Sequence, residues 1–297
     1  LSNHDDLDFR RGISGPIELN GLKSTPHRAN QEVRMSLTKL HDRTQIAAFL
    51  QQDPPLYLYS LGDLDDFFFP LTQWYAWRTP SMGTAALAML YAGFQPHILH
   101  AICPAENLPA MRLLLEELYP VLPAQIYAHF SPGLQDTLKS HFQIYPEGRH
   151  WKMTLTRPEL LPTTAANQVR KLSSGDLPAL GQLYQHSYPN NDFDTRLLET
   201  GQYFGLYLQG KLVCSAGIHV YSPQYGVAAI GNVVTHRDYR SRGYARETVA
   251  VLCRSLQQTV SLIGLNVKAD NHPAIHLYQG LGFTYSVEYD ECTLVKT

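Results

Sequence analysis

No stretch of this chain is apolar for long enough to span a bilayer. The longest nearly uncharged apolar run, residues 85–94, is roughly ten residues against the ~20 that a membrane helix needs. The N-terminus lacks the basic-then-apolar order of a secretory signal. Cysteine is scarce, with 4 in 297 residues. Cys103, Cys214, Cys253 and Cys292 form no C-x-x-C pair, which argues against a disulfide framework and fits unpaired thiols in a reducing, cytoplasmic compartment. An excess of one charge is also missing. Lys+Arg 24 against Asp+Glu 26 gives a formal charge of −2, which removes the broad electrostatic footprint of a nucleic-acid binder. There is no G-x-S-x-G nucleophile elbow. His272 and His276 stand at i, i+4, but Pro273 replaces the Glu of H-E-x-x-H, so no metal site is expected.

What is present is an ordinary globular composition, 44% hydrophobic and 17% charged, in a chain about twice the usual domain length. Residues 1–34 hold no period of 2 or 3.6 and read as a tail, with Met35 a candidate native start. Two domains are expected, 35–160 and 166–297, joined by a linker at 160–168. In the first, Asp42 caps a helix carrying Ile46, Ala47, Phe49 and Leu50, which Pro54 and Pro55 stop. Strands at 74–77 and 85–90 flank a turn at 79–83. Then come a strand at 97–102, a helix at 107–119, a strand at 125–130, a short helix at 134–142 and a strand at 150–155. The second domain repeats that order: a strand at 169–172, a helix opened by a Ser173/Asp176 capping box and running through Tyr184, and a short helix around 195–199. Antiparallel strands at 203–208, 212–221 and 226–235 follow. A helix at 245–260, a strand at 262–268, a helix at 273–279 and a strand at 283–289 close the chain. In that last strand Phe283, Tyr285, Val287 and Tyr289 are expected on one face. The shared order suggests an internal duplication.

The chemistry concentrates between the strand ending at Thr235 and the helix that follows. Ala245, Val249, Leu252, Leu256 and Val260 recur at helical spacing. A turn feeding a helix presents unpaired N–H groups and the positive end of the helix dipole. Gly243 removes a Cβ that would obstruct an anion, and Ala245 keeps the first turn slim. Arg237, Arg240, Arg242 and Arg246 surround the turn against one Asp238. Such a site suits a polyphosphate, although a solvated surface helix start has the same pattern.

The second motif, Asn271-His272-Pro273-Ala274-Ile275-His276-Leu277-Tyr278-Gln279-Gly280-Leu281-Gly282-Phe283, narrows the reading. With it, residues 169–290 resemble the GNAT superfamily of acyl-CoA-dependent N-acetyltransferases, and the first motif is similar to the branch containing glycine N-acyltransferase-like proteins. Arg237 stands where the family usually has Pro. The resemblance implies an α+β fold, here two GNAT-like domains in tandem, each a mixed, mostly antiparallel sheet flanked by helices. It implies acetyl-CoA as co-substrate. The strand end at Val233, Val234 and Thr235 would part from its neighbour and pair with pantetheine. The turn of Arg240, Ser241, Arg242, Gly243, Tyr244 and Ala245, with Arg246 behind it, would hold the pyrophosphate. Asn271 would contact the CoA arm, and Tyr278 would protonate the departing thiolate.

A Tyr hydroxyl near a thioester sulfur is a sensible general acid in its own right, though Tyr278 could equally be packing under Phe283. The base is open. The strand at 226–235 holds no carboxylate, leaving His219, a water held by Asn232, or attack by an already neutral amine. His219 also reads as a plain strand residue. The resemblance implies that the loop 188–193, with Tyr188 and Phe193, shapes the site of a small-molecule amine or amino-acid-like acceptor, although its residues equally suit a capped loop; nucleic acid and membrane are not expected partners. In the first domain the equivalent turn, 102–107, has no glycine or arginine and carries Glu106 where phosphate would sit. That domain is expected to be degenerate, structural or covering the acceptor. Its Gly62-Asp63-Leu64-Asp65-Asp66 run lacks the pattern of a calcium loop and reads as a capped turn before aromatic packing. A CoA-binding module without turnover is the alternative function.

Overall fold

Short apolar runs broken by Gly, Pro and Asn bury their faces best as strands, and the computed structural model is built around one sheet. It describes residues 35–79, 83–163, 168–189, 191 and 193–297. The tail at 1–34, the turn centre at 80–82, linker residues 164–167, and Asn190 and Asp192 lie outside the described residues. The first half runs β1 (Ser36–Leu40), α1 (Arg43–Leu50), α2 (Leu58–Gly62), β2 (Thr72–Thr79), β3 (Gly83–Tyr91), β4 (His97–Ala101), α3 (Leu108–Leu118), β5 (Gln125–Phe130) and β6 (Phe142–Leu155). The second runs β7 (Val169–Lys171), α4 (Leu177–Ser187), β8 (Phe204–Leu208), β9 (Lys211–Ser222), β10 (Val227–Thr235), α5 (Tyr244–Leu256), β11 (Leu262–Lys268), α6 (His272–Gly280) and β12 (Phe283–Lys296).

The caps read from the sequence form. Asp42 accepts the Thr44 N–H at 2.8 Å, and Asp176 accepts the Ser173 N–H at 2.9 Å. Three expectations need correction. The 134–142 helix is only a 3-10 turn at Gln135–Leu138, because β6 claims the chain from Phe142 onward. β6 and β12 are 14 residues each, far longer than the strands expected at 150–155 and 283–289. A bulge falls between Tyr285 and Val287. Tyr285 pairs with Met153 and Val287 with Lys152, so Phe283 and Tyr285 face one side and Val287 and Tyr289 the other.

The order across the sheet is β1-β2-β3-β4-β5-β12-β6-β11-β10-β9-β8-β7. Two parallel pairs, β4 with β5 and β10 with β11, stand symmetrically about its centre. Between them the long strands trade places: β12 pairs with β5, β6 pairs with β11, and the two pair with each other. The described residues, from 35 to 297, form one compact unit. One core, including Trp74, Met153, Tyr203 and Phe283, joins residues of both halves, and a second, including Met111, Leu114, Phe130 and Leu294, fills the space under α3.

Candidate functional site

β10 and β11 pair only through Val227–Leu262, Ala228–Ile263 and Ala229–Gly264. Beyond Ala229 they part, while β11 stays paired with β6 as far as Lys268. The register between β10 and β9 slips on either side of Ile230–Gly231, with the extra residue on β9 at His219 and then on β10 at Asn232–Val233, and Asn232 takes a left-handed φ of 51°. The parted strands leave unpaired backbone groups facing a cavity of about 1180 Å³, walled by both halves. The equivalent pair in the first half stays closed, with β4 paired to β5 from His97–Ile126 through Ala101–Phe130.

Below the gap, β10 leads through a 3-10 turn at Arg237–Tyr239 into α5. Gly243 caps α5 at φ +84°, a conformation L side chains rarely adopt, and a Cβ there would meet no atom within 4 Å. Ser241 is also left-handed, at φ 61°. Val233, Val234, Thr235, Arg240, Ser241, Gly243, Tyr244, Ala245, Arg246 and Asn271 all line the cavity. Arg242 does not: its guanidinium donates to the Asp238 carbonyl at 3.2 Å and lies 5.4 Å from the Tyr239 ring centroid. Asn271 has a local task, its oxygen capping α6 by accepting the Ala274 N–H at 3.2 Å.

Tyr278 faces the same cavity from α6, its ring edge-on to Phe283 at 5.8 Å. Burial raises its hydroxyl pKa well above the ordinary value, so it carries a proton at neutral pH. Packing on Phe283 and facing the cavity are therefore compatible. His219 also lines the cavity, its ring lying where a Cβ on Gly231 would be. Burial lowers its pKa to about 4. Asn232 donates to the Tyr203 hydroxyl at 2.9 Å, while its buried oxygen has no hydrogen-bond partner. Tyr188 is on the cavity wall. Phe193 is not among the lining residues; it packs against Tyr184 at 5.2 Å and Tyr203 at 5.5 Å. Its aromatic surface is spent on the core.

The sequence reading missed the opposite wall. Glu291 of β12 accepts from the Tyr289 hydroxyl at 2.6 Å and from Tyr127, with His129 Nε2 at 3.4 Å and His150 Nε2 at 3.3 Å. His100 stacks on His129 with centroids 4.7 Å apart. These residues share one sheet face because His100 pairs with His129 and His129 with Glu291. Asp63, directly after α2, lines the cavity as well. A carboxylate between Leu61 and Leu64 was the available signal for Asp63; nothing local could have placed Glu291 beside β5. Among the described residues no group of three or more His, Cys, Asp or Glu is placed to hold a metal ion, and no helix is long and apolar enough to cross a membrane.

The fold thus sets two parted parallel strands above a glycine turn that opens a helix, beside the cavity. The acetyltransferase (GNAT) family model matches residues 167–283. The [ribosomal protein bS18]-alanine N-acetyltransferase of Escherichia coli (strain K12) is 30% identical over 122 residues, which is 39% of this chain and 80% of that protein. The chain belongs to the GNAT acetyltransferase family, whose co-substrate is acetyl-CoA. Solved structures support the fold over a longer span. A Drosophila protein aligns with TM-score 0.66 at 13% identity, covering 87% of this chain and 98% of that one. A tandem GNAT protein from the clavulanic acid biosynthesis pathway aligns with TM-score 0.51 at 14% identity, covering 89% and 98%.

Proposed function

We propose that this enzyme transfers an acetyl group from acetyl-CoA to an amine of a small-molecule acceptor, by direct attack while both substrates are bound. The observation that carries this reading is the parting of β10 from β11 after Ala229, directly above the Gly243 turn. The free edge at Val233, Val234 and Thr235 is suited to pantetheine. The α5 N-terminus, with Arg240 and Arg246 on the cavity wall, is suited to pyrophosphate. Tyr278 is assigned as the acid for the departing thiolate, and Asn232 as a holder of water or substrate N–H through its unpartnered oxygen. His219 is a weak base at a pKa of about 4 and serves better as a neutral hydrogen-bonding wall residue.

The chain is read as two GNAT-like halves, 35–160 and 166–297, from the glycine N-acyltransferase-like branch and acting in the cytoplasm. The symmetric placing of the two parallel strand pairs and the exchange of β6 and β12 support the duplication. The first half is degenerate as a CoA site: β4 and β5 stay paired, and Glu106 lies in the turn before α3. Calorimetric titration with acetyl-CoA, followed by a thiol-release assay over a broad panel of amines, tests the reading. Micromolar binding with turnover is expected. The lack of a carboxylate on β10 favours one rival, a CoA-binding module without catalysis. It predicts binding without CoA release.

A further inference from the structure

An aliphatic amine reaches the site at neutral pH as an ammonium ion and cannot attack until it loses a proton. β10 offers no group to take it, but the first half does. α2 ends at Gly62, where a Cβ would stand 2.6 Å from Val220 Cγ2. Val220 pairs with Ala229, the last residue of β10 to pair with β11. One turn earlier, Leu58 Cδ1 lies 2.7 Å from where a Cβ on Gly264 would be, and Gly264 is Ala229's partner on β11. α2 therefore crosses the point where the strands part, and Asp63, the next residue, lines the cavity there. Asp63 is only 5% exposed. Among the described residues its carboxylate has no hydrogen bond and no ion pair within 4.0 Å.

A buried carboxylate with no hydrogen bond and no close ion pair is costly, and stability alone gives no reason to keep one. Lys152 of β6, Tyr59 of α2 and Tyr91 of β3 are titratable groups that act on it, and His219 of β9 lies beyond Tyr59, with ring centroids 6.3 Å apart. Burial pushes the Asp63 carboxyl up to about 8, with Lys152 opposing. A base near neutrality suits proton transfer.

We infer that Asp63, from the first half, is the proton acceptor for the amine that the second half acetylates. The inference rests on the proposed transfer reaction. Asp63 takes one proton from the ammonium ion. The freed amine nitrogen then forms its bond to the thioester carbon as the carbon–sulfur bond breaks. Tyr278 gives its proton to the sulfur and is reprotonated by the second proton that the nitrogen sheds. Asp63 returns its proton to solvent. The acceptor class that needs such a group is a basic aliphatic amine, paired as its ammonium ion with Asp63 beside Phe68, Tyr91 and Phe94.

The test uses the full chain, wild type, D63N and D63E, with acetyl-CoA and a panel of primary aliphatic amines. D63N is expected to bind acetyl-CoA within twofold of wild type and to lose about a hundredfold in kcat/KM at pH 7.5. Its rate should climb tenfold per pH unit until the amine deprotonates unaided, whereas wild type levels off near pH 8, and D63E should restore part of the wild-type profile. A D63N variant with wild-type rate and pH profile overturns the assignment and leaves the transferase reading standing. A wild type that binds acetyl-CoA but acetylates no amine overturns both.

Discussion

Replacing Gly243 by Ala separates the two duties assigned to that residue. Its φ of +84° is strained for any L side chain, and the added methyl would enter space open to the cavity. The strain costs ~1 kcal/mol of stability, which for a chain this size is a fall of about 2–4 °C in Tm. The methyl also pushes the pyrophosphate away from the amides opening α5. Hydrogen bonds to charged groups contribute about 1.5–3 kcal/mol, so losing one weakens acetyl-CoA binding roughly tenfold to a hundredfold or more. Gly210, in the turn between β8 and β9, supplies the control. Its φ is +79°, a Cβ there also meets nothing within 4 Å, and it is not on the cavity wall. G210A should show the same fall in Tm with unchanged affinity. Calorimetric titration and thermal melts of both variants decide the matter. Equal losses in Tm with no difference in acetyl-CoA affinity would refute the turn as a phosphate cradle.

The other predictions follow the same logic. Y278F keeps its ring on Phe283, so it should fold and bind acetyl-CoA normally while kcat falls by about 10²–10³, read by thiol release under saturating donor. R246A should weaken acetyl-CoA binding about tenfold, and R242A much less, because Arg246 lines the cavity and Arg242 does not. Titrations at several salt concentrations should show the larger slope lost in R246A. Asp176 is held below the ordinary carboxylate range chiefly by Arg170, with the Ser173 N–H and the Tyr207 hydroxyl adding to it. The native state thus binds this proton less readily than the unfolded chain. Its stabilisation is complete above about pH 4 and drains away as pH falls below that. D176A should cost ~2 kcal/mol at pH 7, and the gap from wild type in urea unfolding should narrow toward pH 2.

Much of the second half was legible because its signals are local. A capping box needs only Ser173 and Asp176 three residues apart, and α5 announces itself by the spacing of Val249, Leu252 and Leu256 after a glycine that must adopt positive φ. Asn271 was legible as a motif residue, yet its oxygen turned out to cap α6. Arg242 and Phe193 show the limit. The family resemblance implies the Arg242 backbone and Phe193 at the site; the Arg242 guanidinium itself lies by Tyr239, and the Phe193 ring packs on Tyr184 and Tyr203.

Residue order alone was enough for most of the strands and helices, for the caps at Asp42 and Asp176, and for the glycine turn at Gly243 that opens α5. Those follow from residue type and near-neighbour periodicity, which act over a few residues. Long-range packing alone makes β6 and β12 trade places, gathers histidines from β5 and β6 around Glu291, and carries Asp63, directly after α2, to the gap between β10 and β11. Strand order is chosen by the free energy of pairing segments more than a hundred residues apart, and no local pattern encodes which edge a strand will meet.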